Sequence, residues 1–114
     1  MIIAAVSEKK VSINGFTVTC EYKVTKAWWD QPSGMFIVLM DCYENLEEKR
    51  FRNLVAYDAT NHLVWKAELP RGSGADCYVD AEIFDNKLFA SSFSAYRCLI
   101  DVATGKVVEC DLTK

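Results

Sequence analysis

Histidine is nearly absent from this chain of 114 residues, in which His62 is the only one. The chain has five scattered cysteines, none of them in a Cys-x-x-Cys pair: Cys20, Cys42, Cys77, Cys98 and Cys110. Structural zinc sites usually take four ligands from closely spaced cysteines and histidines. We therefore expect no metal and no other cofactor, and we interpret the cysteines as reduced, buried side chains of a cytoplasmic protein.

The sequence also lacks a basic run and a long apolar run. Its 13 Lys and Arg stand against 16 Asp and Glu, a net charge of -3, so binding to nucleic acid through phosphate neutralisation is not expected. No apolar segment approaches the roughly 20 residues of a membrane helix. The first residues, "MIIAAVSEKK", lack the basic start and the long apolar core of a signal peptide. These absences predict a soluble protein. Its acidic surface favours a basic partner, but a small negative charge is also what solubility alone would select, and that simpler interpretation is favoured.

Motifs of catalytic or phosphate-binding sites are missing as well. There is no Gly-x-Ser-x-Gly, no His-Glu-x-x-His and no glycine-rich loop that opens a helix. The segment "RGSGAD", residues 71–76, is rich in glycine but joins two predicted strands. An enzyme is therefore the less favoured interpretation.

Hydrophobic residues, by contrast, are abundant, at 51% of the chain, and 12% of residues are aromatic. This composition is too apolar for a disordered chain. The length is that of one ordinary domain. We predict a single domain over residues 1–114.

Hydrophobic patterning in the first half predicts strands. Polar and apolar residues alternate in "FTVTCEYKV", residues 16–24, and Asn14-Gly15 before it is a preferred pair for a tight hairpin turn. The segment "TKAWWDQPSG", residues 25–34, contains proline and glycine and is interpreted as a loop. Six consecutive apolar residues in "MFIVLMD", residues 35–41, predict a central strand covered on both faces.

The charged segment "ENLEEKRFR", residues 44–52, is interpreted as a solvated loop, and short strands with turn residues follow it. These strands are "NLVAYD", "HLVWKAEL", "CYVDAEIF", "KLFASSF", "YRCLID" and "KVVECDL". We predict an all-β fold, an antiparallel meander of about nine strands that forms a small sandwich or open barrel with propeller-blade-like hairpins.

Two segments of the second half, residues 53–65 and 96–108, share one pattern. In each, a strand ends in Asp58 or Asp101, a turn contains Asn61 or Gly105, and a second strand follows. An Asp side chain can accept hydrogen bonds from turn amides, and Asn or Gly tolerates a left-handed backbone. The separation of about 43 residues is typical of four-stranded propeller blades.

On these residues the chain resembles the repeat of the PQQ-like quinoprotein propellers, whose blades carry an Asp, a Thr-Gly turn and a Trp. Residues 53–114 also resemble small bacterial proteins of uncharacterised function with the same two hairpins. Trp65 occupies the Trp position of the first copy, but Glu109 replaces it in the second. Because two blade-like units cannot close a propeller, the resemblance implies hairpin geometry and no quinone cofactor.

Trp28 and Trp29 are the most suggestive binding residues. Adjacent side chains of an extended segment diverge, so the two indoles are not expected to share one core, and exposed Trp is enriched in interface hot spots. If the flanking loops meet at one end of the fold, their carboxylates form an acidic rim around the pair. The predicted partner-binding residues are Trp28, Trp29, Asp30, Asp41, Glu44, Glu47 and Glu48. The alternatives are that one Trp covers the open end of a sandwich while the other is partly covered, and that the charged loops need no partner.

Other reactive side chains have structural explanations. His62 follows a turn and is interpreted as a surface residue. Asp80 and Glu82 lie two residues apart in a strand, so they share a face that we expect to be in water. The cysteines in strand patterns show no electropositive surroundings that would activate a thiolate.

The sequence favours a non-enzymatic protein-binding module, such as an immunity or antitoxin-like factor that occludes a basic partner. One alternative is a β-barrel that binds or converts a small molecule, using His62 or a cysteine. Another is a module that completes a propeller-like ring from several copies.

Overall fold

The computed structural model describes residues 1–113, which form thirteen strands rather than about nine. The strands are β1 Ile2–Ile3, β2 Ala5–Ser7, β3 Lys10–Ile13, β4 Phe16–Thr19, β5 Val24–Asp30, β6 Met35–Met40, β7 Arg50–Phe51, β8 Leu54–Asp58, β9 Leu63–Lys66, β10 Asp76–Phe84, β11 Lys87–Ser92, β12 Tyr96–Ile100 and β13 Val107–Leu112. The all-β prediction is confirmed. Within the described residues, no helix is present that could cross a membrane.

The strands form three sheets that do not close into a barrel. The central sheet has the order β1-β5-β6-β8-β9, and the outer sheet has the order β13-β12-β11-β10-β7. The N-terminal sheet contains β2, β3 and β4. Strand pairs are antiparallel except for β7 with β10, which is parallel. The C-terminal strands β10 to β13 follow one another as the predicted meander.

The central sheet lies between the other two and is buried on both faces. One core joins it to the outer sheet and contains Ile37, Leu39 and Tyr78. A second core joins it to the N-terminal sheet and contains Phe36, Val38 and Val11. Successive side chains of a strand point to opposite faces, so β6 supplies both cores in turn. This explains its six apolar residues, and its predicted central position is confirmed.

The hairpin turn at Asn14-Gly15 is also confirmed. Ile13 pairs directly with Phe16, and both turn residues have positive φ, 45° and 86°. This geometry matches the twist of antiparallel strands and is most accessible to Asn and Gly. The predicted strand over residues 16–24 is wrong in its second half, because β4 ends at Thr19. The chain then crosses from the N-terminal sheet to the central sheet.

The predicted loop over residues 25–34 is wrong for most of its length. Residues 24–30 form β5, which pairs with β6 along its whole length, and the turn begins only at Gln31. The proline and glycine mark that short turn. Pairing with the apolar strand β6 therefore overrides the loop prediction for the segment before Pro32.

The two turns with the shared Asp pattern have the expected chemistry. Asp58 Oδ1 accepts hydrogen bonds from the backbone nitrogens of Thr60 and His62, at 2.9 and 3.0 Å. Asp101 Oδ1 accepts one from Ala103 N at 3.0 Å. Asn61 and Gly105 adopt the left-handed conformation, with φ of 69° and 76°. The explanation of these residues as turn residues is confirmed.

The cysteine prediction is wrong for one pair. Cys98 and Cys110 are directly paired residues of β12 and β13, with Cα atoms 4.1 Å apart, and their sulfurs form a disulfide. Such closely opposed positions in antiparallel strands bring the two Cβ atoms within disulfide range. Cys20, Cys42 and Cys77 are free thiols, as predicted, but of these three only Cys20 is buried, and Cys42 and Cys77 are partly exposed.

Candidate functional site

Trp28 and Trp29 point to opposite faces of the central sheet, as their adjacency predicts. Trp28 is 7% exposed and packs in the core shared with the outer sheet. Trp29 is half-buried between Phe16, with ring centroids 5.6 Å apart, and Phe36, with ring centroids 4.8 Å apart. The pair therefore does not form one exposed aromatic anchor, and its role in partner binding stays a prediction.

The predicted acidic rim does not surround the Trp pair. Asp30 pairs with Met35 at the first end of β6. Asp41, Glu44, Glu47 and Glu48 follow the other end of this strand, in residues 41–48. The six residues of β6 span about 20 Å, which separates the two groups of carboxylates. The condition that these loops meet at one end is not met, because β6 crosses the sheet between them.

Residues 41–48, here called the acidic loop, instead lie beside other aromatic side chains. Tyr43 and Leu46 in this loop are 66% and 77% exposed. Phe93, in the turn between β11 and β12, is 67% exposed. These three side chains line a groove of about 300 Å³, here called the Tyr43–Phe93 groove. It combines large apolar groups with the carboxylates of the acidic loop.

Hydrogen bonds within the acidic loop hold it in place. Asp41 Oδ1 accepts a bond from Tyr43 N at 3.0 Å. Asn45 donates through Nδ2 to Glu48 Oε2 at 3.0 Å and to the Tyr22 hydroxyl at 3.2 Å. Glu44 Oε1 accepts a bond from the backbone nitrogen of Lys23 at 3.1 Å. The loop is thereby tied to the segment between β4 and β5.

The Phe93 wall is held by the buried side chain of Asp76. Its Oδ2 accepts a hydrogen bond from Ser94 Oγ at 2.6 Å, and its Oδ1 accepts one from Ser94 N at 3.1 Å. The backbone nitrogen of Phe93 donates to the carbonyl of Cys77 at 2.9 Å. These bonds fix the turn and leave the Phe93 ring in solvent.

Charged side chains lie in the acidic loop and along the groove itself. Four carboxylates lie in residues 41–48, which contain no basic residue. Lys49 also lines the groove. Arg50 is turned away from it, since its guanidinium donates to the carbonyls of Pro70 and Gly74 at 3.1 and 2.6 Å. Glu48 is the carboxylate of the acidic loop that lines the groove, next to Lys49, and the other three carboxylates lie elsewhere in the loop.

The other candidates from the sequence, His62, Asp80 and Glu82, lie on the open surface and do not line the Tyr43–Phe93 groove. The His62 side chain is 78% exposed and its Nδ1 contacts the Thr60 hydroxyl at 2.7 Å. Asp80 pairs with Lys26 at 2.7 Å, and Glu82 pairs with Arg97. Both carboxylates are exposed, as expected from their shared face, and they do not form an acid-base pair in a cleft.

Sequence reasoning missed Tyr43, Leu46 and Phe93. A weak signal was present, because Tyr43 and Leu46 are large apolar residues inside a segment dense with charge and turn residues. Large apolar residues in a loop are not accounted for by the buried face of a strand, so they indicate an exposed apolar surface. Phe93, however, is about 50 residues further along the chain, and only the fold brings it to the same groove.

No curated protein and no solved structure matches the chain. The resemblance to PQQ-like quinoprotein repeats is wrong, since the family model that matches is a different one and covers both halves of the chain. The shared Asp and Gly turns arise from hairpin geometry, which unrelated β proteins also use. Residues 1–112 match the model described as Domain of unknown function (DUF7957), and the chain belongs to that family.

Proposed function

We propose that this protein acts without catalysis, by binding a basic surface of another protein, as an immunity or antitoxin-like factor would. The supporting observation is the Tyr43–Phe93 groove, where three large apolar side chains are exposed beside the acidic loop and Glu48 of that loop lines the groove. Aromatic residues are enriched at interface cores, which are usually surrounded by a polar rim. A lysine- or arginine-rich partner would complement the acidic loop.

The two walls of the groove support binding because they are already ordered. Asn45 and Asp41 hold the acidic loop, and Asp76 holds the turn that carries Phe93. Ordering loops and side chains on association opposes affinity. A surface held by hydrogen bonds before the partner arrives avoids part of that cost.

The apolar part of the proposal is tested by affinity capture from a lysate of the source cells. Phe93→Ser and Tyr43→Ser are compared with Phe84→Ser, whose ring is exposed to the same extent, 66%, outside the groove. We expect the wild type and the control to retain one basic protein at submicromolar affinity. Each groove variant should weaken it at least about 30-fold, as loss of a hot spot does.

Capture that is unchanged in both groove variants would contradict the proposed surface. Absence of any basic protein among the captured proteins would contradict the proposed partner. Circular dichroism of each variant shows whether it remains folded. Co-expression with the product of the adjacent gene gives an independent source of the partner.

The charge part of the proposal needs a second comparison, between Glu47→Lys in the acidic loop and Glu109→Lys in β13. Both residues are exposed. We expect the association rate of the captured partner to fall with added salt and to fall further in Glu47→Lys, because long-range attraction is lost. Equal rates for the two variants would show that the acidic loop does not attract the partner.

A cytoplasmic location is also part of this proposal, although disulfides such as Cys98–Cys110 usually persist in oxidising compartments. Fractionation of source cells with thiol trapping tests both the location of the protein and the oxidation state of Cys98 and Cys110. We expect the protein in the cytoplasmic fraction. Recovery from an extracytoplasmic fraction alone would contradict this location.

A further inference from the structure

Two free thiols lie together at the base of the Tyr43–Phe93 groove. Cys42 follows the end of β6 and Cys77 lies in β10, and both line the groove. The two thiols are close neighbours there, since Cys42 is among the groups that raise the pKa of Cys77. Both are partly exposed, so a small reagent in solvent can reach them.

The buried side chain of Asn53 explains why these two cysteines meet. Its Nδ2 donates to the carbonyl of Met40 at 2.8 Å and to the carbonyl of Tyr78 at 2.7 Å. Its Oδ1 accepts a bond from Tyr78 N at 2.8 Å. The end of β6 is thus fixed to β10, next to the positions of both thiols. The proximity of the two cysteines therefore depends on the folded core and not only on the conformation of the acidic loop.

We propose that Cys42 and Cys77 are a thiol pair that forms a second, reversible disulfide with a low-molecular-weight disulfide such as oxidised glutathione. The Cys42 thiolate attacks one sulfur of the reagent, which releases one glutathione thiolate and leaves a mixed disulfide. Cys77 then loses its proton to solvent and attacks the Cys42 sulfur, which releases the second glutathione. Two protein thiols are oxidised, and one reagent disulfide is reduced to two thiols.

The surroundings of Cys77 support this order of attack. Burial, the neighbouring Cys42 thiol and the carboxylates of Asp76 and Asp41 raise the pKa of Cys77 to about 12. Cys77 is therefore protonated at neutral pH and is a poor first nucleophile. Once Cys42 carries the mixed disulfide, the placement of both cysteines on one groove, with the end of β6 fixed to β10 by Asn53, favours the second step.

Cys20 is the matched control for this chemistry. It is the other free cysteine, it is buried in the core shared with the N-terminal sheet, and burial raises its pKa to about 11. Across residues 1–113, no three His, Cys, Asp or Glu side chains cluster as metal ligands.

The experiment uses the full chain, reduced and then incubated with oxidised glutathione under native conditions. Peptide mapping without reduction should recover Cys42 linked to Cys77 in most molecules of the wild type and of Cys20→Ser. Dithiothreitol should reverse the link. Cys77→Ser should stop at a glutathione adduct on Cys42.

Three outcomes would overturn the proposal. One is that both cysteines remain thiols, another is that each carries a separate glutathione, and the third is that either pairs with a different cysteine. The wild-type map alone decides among them, so misfolding of a variant does not affect the result. Disulfide formation is measured without the partner, and its failure is therefore separate from failure of the proposed function.

Discussion

Trp65 and Gly105 form a contact between the edge of the central sheet and the β12–β13 turn of the outer sheet. The indole Nε1 donates to the carbonyl of Val102 at 2.8 Å. A Cβ atom added to Gly105 would lie 2.6 Å from Trp65 Cε3. Glycine is therefore required at position 105 for two reasons: its backbone is left-handed, and the Trp65 ring leaves no room for a Cβ atom.

We expect Gly105→Ala to lower the free energy of unfolding by about 2–3 kcal/mol, from backbone strain plus displacement of the indole. Gly74→Ala is the matched control, since its φ of 74° is nearly the same and nothing lies within 4 Å of its added Cβ. That variant should lose only about 1 kcal/mol. Urea denaturation measures both, and equal losses would show that the Trp65 contact adds nothing.

The surroundings of the Asp58 carboxylate predict that the stability of the fold depends on pH. The Thr60 hydroxyl and the backbone amides of His62 and Thr60 hydrogen-bond to its carboxylate and lower its pKa below the ordinary value. A lowered folded-state pKa means that the contribution to stability is present above the unfolded-state value, about 3.9, and is lost as pH falls through the folded-state value.

We expect Asp58→Asn to be less stable than the wild type at pH 6, with the difference shrinking as the pH drops below 4. Equilibrium denaturation of both proteins across this range measures it. A difference that does not change with pH would show that the ionised carboxylate is not the stabilising form.

Strands β12 and β13 form the edge hairpin of the outer sheet, and the Cys98–Cys110 disulfide links them across 12 residues of sequence. β13 pairs only with β12, and its Val108 and Leu112 side chains are largely exposed. Apolar burial in this strand comes from Val107 and Cys110, which are partly buried against the core. The covalent link is expected to matter more here than it would at the centre of a sheet.

We expect Cys110→Ser to lower the free energy of unfolding by about 3 kcal/mol, as loss of a disulfide closing a short loop does. Chemical denaturation measures the loss, with Cys42→Ser as a control that leaves this disulfide intact. In hydrogen exchange, β13 amides should lose protection first. Unchanged stability and protection would show that strand pairing alone holds the hairpin.

The whole molecule is a stack of three sheets in which the central sheet is covered twice. β6 pairs on both sides, with β5 and β8, and all six of its residues are buried. The N-terminal sheet has three short strands, and all of β2 is exposed. Opening the N-terminal sheet disrupts one core, whereas opening β6 disrupts both cores.

We therefore expect amides of β6 and β8 to exchange hydrogen most slowly, near the rate set by global unfolding, and those of β2 and β3 to exchange faster through local opening. Native-state hydrogen exchange measured by NMR tests this. Uniform protection across the three sheets would mean that the stack unfolds only as a single unit.

The sequence by itself determined the all-β class, the central strand β6 and the turns at Asn14-Gly15, Asp58 and Asp101. These features depend on local rules, namely the alternation of strand side chains and the conformations open to Asn, Gly and Asp. It could not place Trp28 and Trp29 in a strand, because that depends on pairing with β6.

Only the tertiary structure decided which distant residues share a surface. It separated Asp30 from the acidic loop by the length of β6, and it brought Phe93 beside Tyr43 and Cys77 beside Cys42. It also paired Cys98 with Cys110 through the β12–β13 register. These contacts depend on how sheets pack and pair, and local sequence patterns do not encode the distance between residues that lie far apart along the chain.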